Sequence, residues 1–122
     1  MHEISLQRAW ERHVTPDHHS VWVRWFQMPT NVVVGERVYL VADPCHLPNM
    51  WLNGDALADM ESEKGIVCIS ELLGRRNCLI FFQAEQTDCS NEQWFIEIQS
   101  GQLSSDRCVL PKEFGKVGLK IG

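Results

Sequence analysis

Apolar residues in this chain come in short runs, each cut off within a few positions by proline, glycine, asparagine or a cluster of charge. A core helix needs apolar positions recurring every three to four residues over about ten or more residues. No segment sustains that period. What recurs is the alternation and the β-branched and aromatic content of strands. Val21 to Met28, ended by Pro29, and Arg37 to Ala42, reached through a turn at Gly35, are the clearest. Ile4 to Trp10 begins with Ile4 and Leu6 alternating against Ser5 and Gln7. Gly65 to Ile69, Asn77 to Gln83 and Gln93 to Gln99 are predicted as further strands, with Arg107 to Leu110 and Lys116 to Ile121 as weaker ones. Asn53-Gly54 joins Asn49–Leu52 to Asp55–Ala58, and both turn residues accept the positive φ of a type I′ hairpin. Glu11 to His19, Thr30 to Glu36, Asp43 to Pro48, Asp59 to Lys64 and Ala84 to Asn91 read as loops, and Ser70 to Leu73 as one helical turn closed by Gly74. About nine or ten short strands in this order predict an all-β fold, a two-sheet antiparallel β-sandwich. A chain of 122 residues fits one such domain, residues 1–122.

Two of these strands are apolar on both faces. Val21 to Phe26 sets Val21, Val23 and Trp25 against Trp22, Arg24 and Phe26, and Asn77 to Phe82 sets Leu79 and Phe81 against Cys78, Ile80 and Phe82. A strand with one solvated face alternates with polar residues, so something covers the second face here. The protein's own loops and tail, a second subunit, or a ligand would each do so.

Composition narrows the partners. The net charge is -5, and only Arg75-Arg76 are adjacent cations, which is no footprint for a nucleic acid. No run approaches the roughly 18 apolar residues of a membrane span, and Met1 to Ser5 lacks the basic start of a secretion signal. The five cysteines, Cys45, Cys68, Cys78, Cys89 and Cys108, form no CxxC pair and read as reduced core thiols of a cytoplasmic protein.

Four elements, in order, resemble the N-terminal sugar-binding jelly-roll domain of family 2 glycoside hydrolases, of the galactose-binding-like class. Phe26-Gln27-Met28-Pro29 looks like that family's aromatic, variable, aliphatic, proline strand end. Gly35-Glu36-Arg37-Val38-Tyr39-Leu40 is similar to the strand that follows, and Asn49-Met50-Trp51-Leu52-Asn53-Gly54 to its hairpin. Ile69 to Gly74 and then Asn77-Cys78-Leu79 resemble the turn before its long buried strand, although the turn after Leu73 is one residue shorter and lacks the usual proline-glycine. The resemblance covers about half the chain and implies a jelly roll. It carries no hydrolysis, because the matched segment includes neither the (β/α)8 catalytic barrel nor its glutamates. Fold alone does not fix function.

Possible sites follow from residue type and spacing. Asp55, Asp59, Glu61 and Glu63 supply carboxylates for acid–base work or for calcium, but a solvated hairpin flank explains them as well. His13, His18, His19 and Cys45-His46 lack the spacing of a zinc site, apart from the His13–His18 pair, and read as solvated loop residues. Of the thiols, Cys78 lies near two cations, Arg75 and Arg76. The remaining arrangement is a sugar platform. Trp22 and Arg24 share one strand face, setting an indole beside a five-donor guanidinium, with Trp51 and Trp94 (and Trp10) able to contribute from elsewhere. The expectation is therefore a non-catalytic binding module for carbohydrate, with Trp22, Arg24, Trp51 and Trp94 as its ligand contacts and no metal or cofactor. The rival expectation is an assembly domain, whose apolar sheet face joins a twin subunit or docks on a partner enzyme.

Overall fold

The computed structural model describes residues 2–30, 32–82, 92–101 and 107–122. Eleven strands and one helix occur in these residues: β1 (His2–Ser5), β2 (Trp10–Val14), β3 (Ser20–Gln27), β4 (Val38–Val41), β5 (Met50–Leu52), β6 (Asp55–Ala56), β7 (Ser62–Glu63), β8 (Ile66–Cys68), β9 (Arg76–Phe82), α1 (Gln93–Gln99), β10 (Arg107–Cys108) and β11 (Gly118–Ile121). One sheet runs β1-β11-β4-β8-β7 and the other β10-β2-β3-β9-β5-β6. Every pairing is antiparallel. The all-β two-sheet sandwich expected from the sequence is therefore the observed architecture. The first strand pairs with the last, and the chain crosses repeatedly between the layers, β3 to β4, β4 to β5, β8 to β9. Among the described residues no helix is long and apolar enough to cross a membrane.

Leu6, Trp10, Phe26, Leu40, Met50, Leu52, Leu79, Phe81 and Leu119 fill the space between the sheets. Phe114, from the 3-10 turn Lys112–Phe114, closes one side by packing on Phe81 with ring centroids 4.9 Å apart. A second apolar cluster lies on the outer face of β3 and β9: Val21, Val23, Trp51, Cys78, Ile80 and Phe82 meet Phe95 and Ile98 of α1. The apolar second face is thus covered by the chain's own later segment, and the molecule has a third layer. Each fully buried side chain of this size contributes about 1.5–3 kcal/mol of transfer free energy.

That helix corrects the strand predicted over Gln93 to Gln99. A strand over Gln93 to Gln99 would put Trp94, Ile96 and Ile98 on one face, yet Ile96 is 50% exposed while Phe95 is 2% exposed. A strand would send Trp94 and Phe95 to opposite sides. In the helix both rings reach the outer face, Trp94 to Phe82 at 5.0 Å and Phe95 to Trp51 at 6.1 Å. Tertiary packing overrides local pattern in a seven-residue element.

Boundaries moved elsewhere. The predicted strand Ile4 to Trp10 is broken, because Ala9 takes φ 62° and the chain passes there from one sheet to the other. Gln7 anchors the crossing: its side chain donates to the Gly115 carbonyl at 3.2 Å and accepts from the Val117 N–H. The expected loop Glu11 to His19 shrinks to a turn, since β2 takes its first half. The expected loop Asp59 to Lys64 contains β7, which returns to β8 through Lys64 (φ 52°) and Gly65 (φ 81°). Asp55 to Ala58 ends early as strand, turning into the 3-10 segment Leu57–Asp59. The predicted loop Ala84 to Asn91 lies outside the described residues.

The Asn-Gly hairpin is present, with Asn53 at φ 51° and Gly54 at φ 89°. Its asparagine does more than turn the chain. Asn53 Nδ2 donates to the Leu72 carbonyl at 2.8 Å and to Asn77 Oδ1 at 2.9 Å, while Asn53 Oδ1 accepts the Cys78 N–H at 2.9 Å. Asn77, fully buried, also receives the Gly74 N–H at 2.8 Å and donates to the Gly74 carbonyl at 3.0 Å. Hairpin tip, Leu72–Gly74 turn and the start of β9 are tied into one network, as buried amides require.

Candidate functional site

The tryptophans and arginine expected to form one platform are divided by the sheet. Trp22 and Arg24 are on the side of β3 that faces the other sheet, and Trp22 packs edge-on to Phe114 at 5.9 Å. Trp51 is on the opposite side, 2% exposed beneath Phe95, and Trp94 is half-buried on α1. Trp10 is fully buried and donates its indole N–H to the Leu6 carbonyl. These four indoles present no common surface.

Arg24, however, belongs to a concave site that the sequence reading did not assemble. β2 pairs with β3 only from Val14↔Ser20 to Trp10↔Arg24, whereas β3 continues to Gln27 along β9. Met28 donates its N–H to the Arg75 carbonyl on the β9 side. By the alternation of a pleated strand, Trp25 and Gln27 then present backbone groups to the edge that β2 has left. A cleft of about 550 Å³ opens at this corner. Its apolar wall includes Ile4, Leu6 and Leu119, and its polar side is Arg24, Gln27, Arg76 and Arg107 around Trp25. Among the described residues no carboxylate, histidine, cysteine or hydroxyl side chain lines it.

The arginines are held by different means. Arg76 stands over the Trp25 ring, its guanidinium carbon 4.1 Å from the centroid. This cation–π contact fixes the group and leaves its N–H donors free. Arg24 bends along its own strand and donates from Nη1 to the Trp25 carbonyl. Its Nε is buried and has no hydrogen-bond partner among the described residues. Burial, and then the like charge of Arg107, pull the Arg24 pKa below its ordinary value. Among the described residues the ion pairs are His13–Glu11 and Lys120–Glu3, so none neutralises this cluster. The sequence offered one hint, the adjacent cations Arg75-Arg76 before a buried strand. Nothing in it placed Arg107 near Arg24, because that proximity depends on β10 lying beside β2.

The other groups singled out from the sequence do not build a site of equal quality. Asp55, Asp59, Glu61 and Glu63 are all exposed. His13 pairs with Glu11 at 3.1 Å, and His18 and His19 sit in the β2–β3 turn, apart from Cys45 and His46. Among the described residues, Asp43, Cys45 and His46 alone bring three possible metal-ligating atoms within 4.8 Å of one another. Cys45 is exposed there, which corrects its assignment to the core. Its backbone N–H donates to Asp43 Oδ1 at 3.0 Å, and hydrogen bonding with Cys45 lowers the Asp43 pKa and raises that of the thiol. A raised thiol pKa opposes metal capture. The His46 ring packs at a tilt against Phe81 and edge-on to Phe114, at 5.2 and 5.8 Å. Cys45, Cys68, Cys78 and Cys108 are all free thiols. Burial pushes Cys78 up to about 12 in spite of Arg76, so it is no nucleophile at neutral pH. Cys89 lies outside the described residues.

No protein-family model matches this chain, and no curated protein or solved structure does so significantly.

Proposed function

We propose that the protein is a non-catalytic binding module and that the corner cleft beside β3 is its ligand site. The observation that carries this is the composition of the cleft. It joins an indole, several guanidiniums and an apolar wall, and among the described residues it offers no group able to act as nucleophile or general base. Its volume falls within the roughly 300–1,000 Å³ of small-molecule sites. Carbohydrate is the ligand class we favour, on the resemblance of Phe26–Pro29, Gly35–Leu40 and Asn49–Gly54 to the sugar-binding domain of family 2 glycoside hydrolases. The crossing of β3, β4, β5–β6, β8, β9 and β11 from sheet to sheet supports the jelly-roll part of that reading. The assembly reading had rested on an apolar second face, and α1 occupies that face.

The test is a panel of neutral and charged mono- and oligosaccharides titrated into the full chain, followed by tryptophan fluorescence and calorimetry. Saturable heat with at least one sugar, diminished by Arg76→Gln, is the expected result. Silence from every sugar at about millimolar concentration, an affinity weaker than about 4 kcal/mol, removes the carbohydrate assignment.

A further inference from the structure

A cation that loses water without gaining a counter-charge is costly, and its pKa moves so as to relieve the cost. The corner cleft gathers this condition in one place. Arg24 is half-buried, its Nε has no partner among the described residues, and the charge acting on it is another arginine, Arg107. Arg76 joins the same wall, pinned on Trp25 at 4.1 Å. Ile4, Leu6 and Leu119 line the same space with hydrocarbon, and no carboxylate among the described residues does so. Guanidiniums set around a cleft match the fork geometry of an oxyanion, and hydrogen bonds to charged groups are the strong ones.

We propose that the cleft is an oxyanion site, and that its ligand is a sugar-sized molecule whose carboxylate, phosphate or sulfate is received by Arg24 and Arg107, while its body rests on the apolar wall beside Trp25. This rests on the binding-module reading above and adds the charge of the ligand to it. Arg24 supplies the buried donor and Arg107 the exposed one. Arg76 supplies a third, and its stacking on Trp25 makes the indole a reporter of occupancy. The edge of β3 left open by β2 adds backbone groups beside them.

The experiment compares ligands of one size and different charge on the full chain. Glucose, glucuronate and glucose 6-phosphate are titrated at low and at physiological salt, with inorganic phosphate and sulfate as bare oxyanions. Wild type is set against Arg107→Gln, whose exposed position leaves the fold intact, and against Arg24→Met, with a urea unfolding curve for each. Expected is binding of an acidic sugar at least about tenfold tighter than glucose, weakened by salt, and lost to within about threefold of glucose in Arg107→Gln at unchanged unfolding midpoint. Bare phosphate or sulfate binding as tightly as the acidic sugars supports the oxyanion site and overturns the role given to the sugar body. Glucose binding as well as glucuronate, or an acidic sugar indifferent to both arginine variants, overturns the oxyanion site and leaves the binding module standing. Silence from these ligands with a response to a neutral oligosaccharide does the same. Silence from every ligand overturns both.

Discussion

Replacing Asn53 by glycine tests the account of the hairpin most directly. Asn53 sits at φ 51°, and glycine takes that conformation without strain, so Asn53→Gly removes the side chain and leaves the turn geometry open. Three hydrogen bonds go: two donated, to Leu72 at 2.8 Å and Asn77 at 2.9 Å, and one accepted from the Cys78 N–H at 2.9 Å. The donated pair is worth about 1 kcal/mol each. The third costs more, because Cys78 is 1% exposed and water cannot replace the lost acceptor; an orphaned buried N–H costs about 1–3 kcal/mol. The sum is about 3–5 kcal/mol, a large share of the roughly 5–15 kcal/mol that holds a domain together. With a urea slope of about 1.5 kcal/mol/M, the unfolding midpoint followed by tryptophan fluorescence falls by about 2 M or more. Asn53→Ala falls further, by about 1 kcal/mol, since it adds a left-handed alanine. Combined with Asn77→Ala, the glycine variant costs about 1 kcal/mol less than the sum of the two, because the pair shares one bond. A midpoint shift below about 0.7 M, or strict additivity of the two variants, refutes the network.

Three further outcomes follow from the same packing. Gly65→Ala should abolish folding or cost several kcal/mol, because its Cβ would lie 2.0 Å from the Ala42 carbonyl oxygen at φ +81°, whereas Gly35→Ala, with nothing within 4 Å, pays only for its φ, about 1 kcal/mol; thermal unfolding of both variants checks this. Phe95→Ala should cost about 3–5 kcal/mol and red-shift the emission of Trp51, and an unchanged spectrum would mean that α1 does not cover the sheet. The Cys78 pKa is raised in the folded state to about 12, so the folded protein prefers the neutral thiol more than the unfolded chain does. Its contribution to stability is full below the unfolded thiol pKa of about 8.5 and is lost as pH rises from there towards 12. Urea midpoints for wild type and Cys78→Val should therefore converge in slope only below that range, and thiol labelling of the native protein at pH 8 should reach Cys45 and spare Cys78.

The sequence by itself determined the strands and their company. Runs such as Val21 to Phe26 and Asn77 to Phe82 are pleated because their β-branched and aromatic residues pack on both faces of a sheet, and that follows from residue type alone. The Asn53-Gly54 turn followed from local backbone preference, and so did the need for something to cover the second face of β3 and β9. Tertiary structure decided the identity of that cover. In seven residues, Gln93 to Gln99, helix and strand preferences are nearly balanced, and the rings of Trp51 and Phe82 waiting across the gap tipped the choice. The same holds for the site. Trp22, Arg24, Trp51 and Trp94 were named from their chemistry, but which of them face one another is set by strand register, and the register places Trp22 and Arg24 opposite Trp51 across the sheet. Arg24, Arg76 and Arg107 lie far apart along the chain and meet only because β2 begins at Trp10, β3 runs on past it to Gln27, and β10 returns to pair with β2. Side-chain chemistry is written residue by residue, whereas a cleft is made of long-range pairings that no local stretch of sequence encodes.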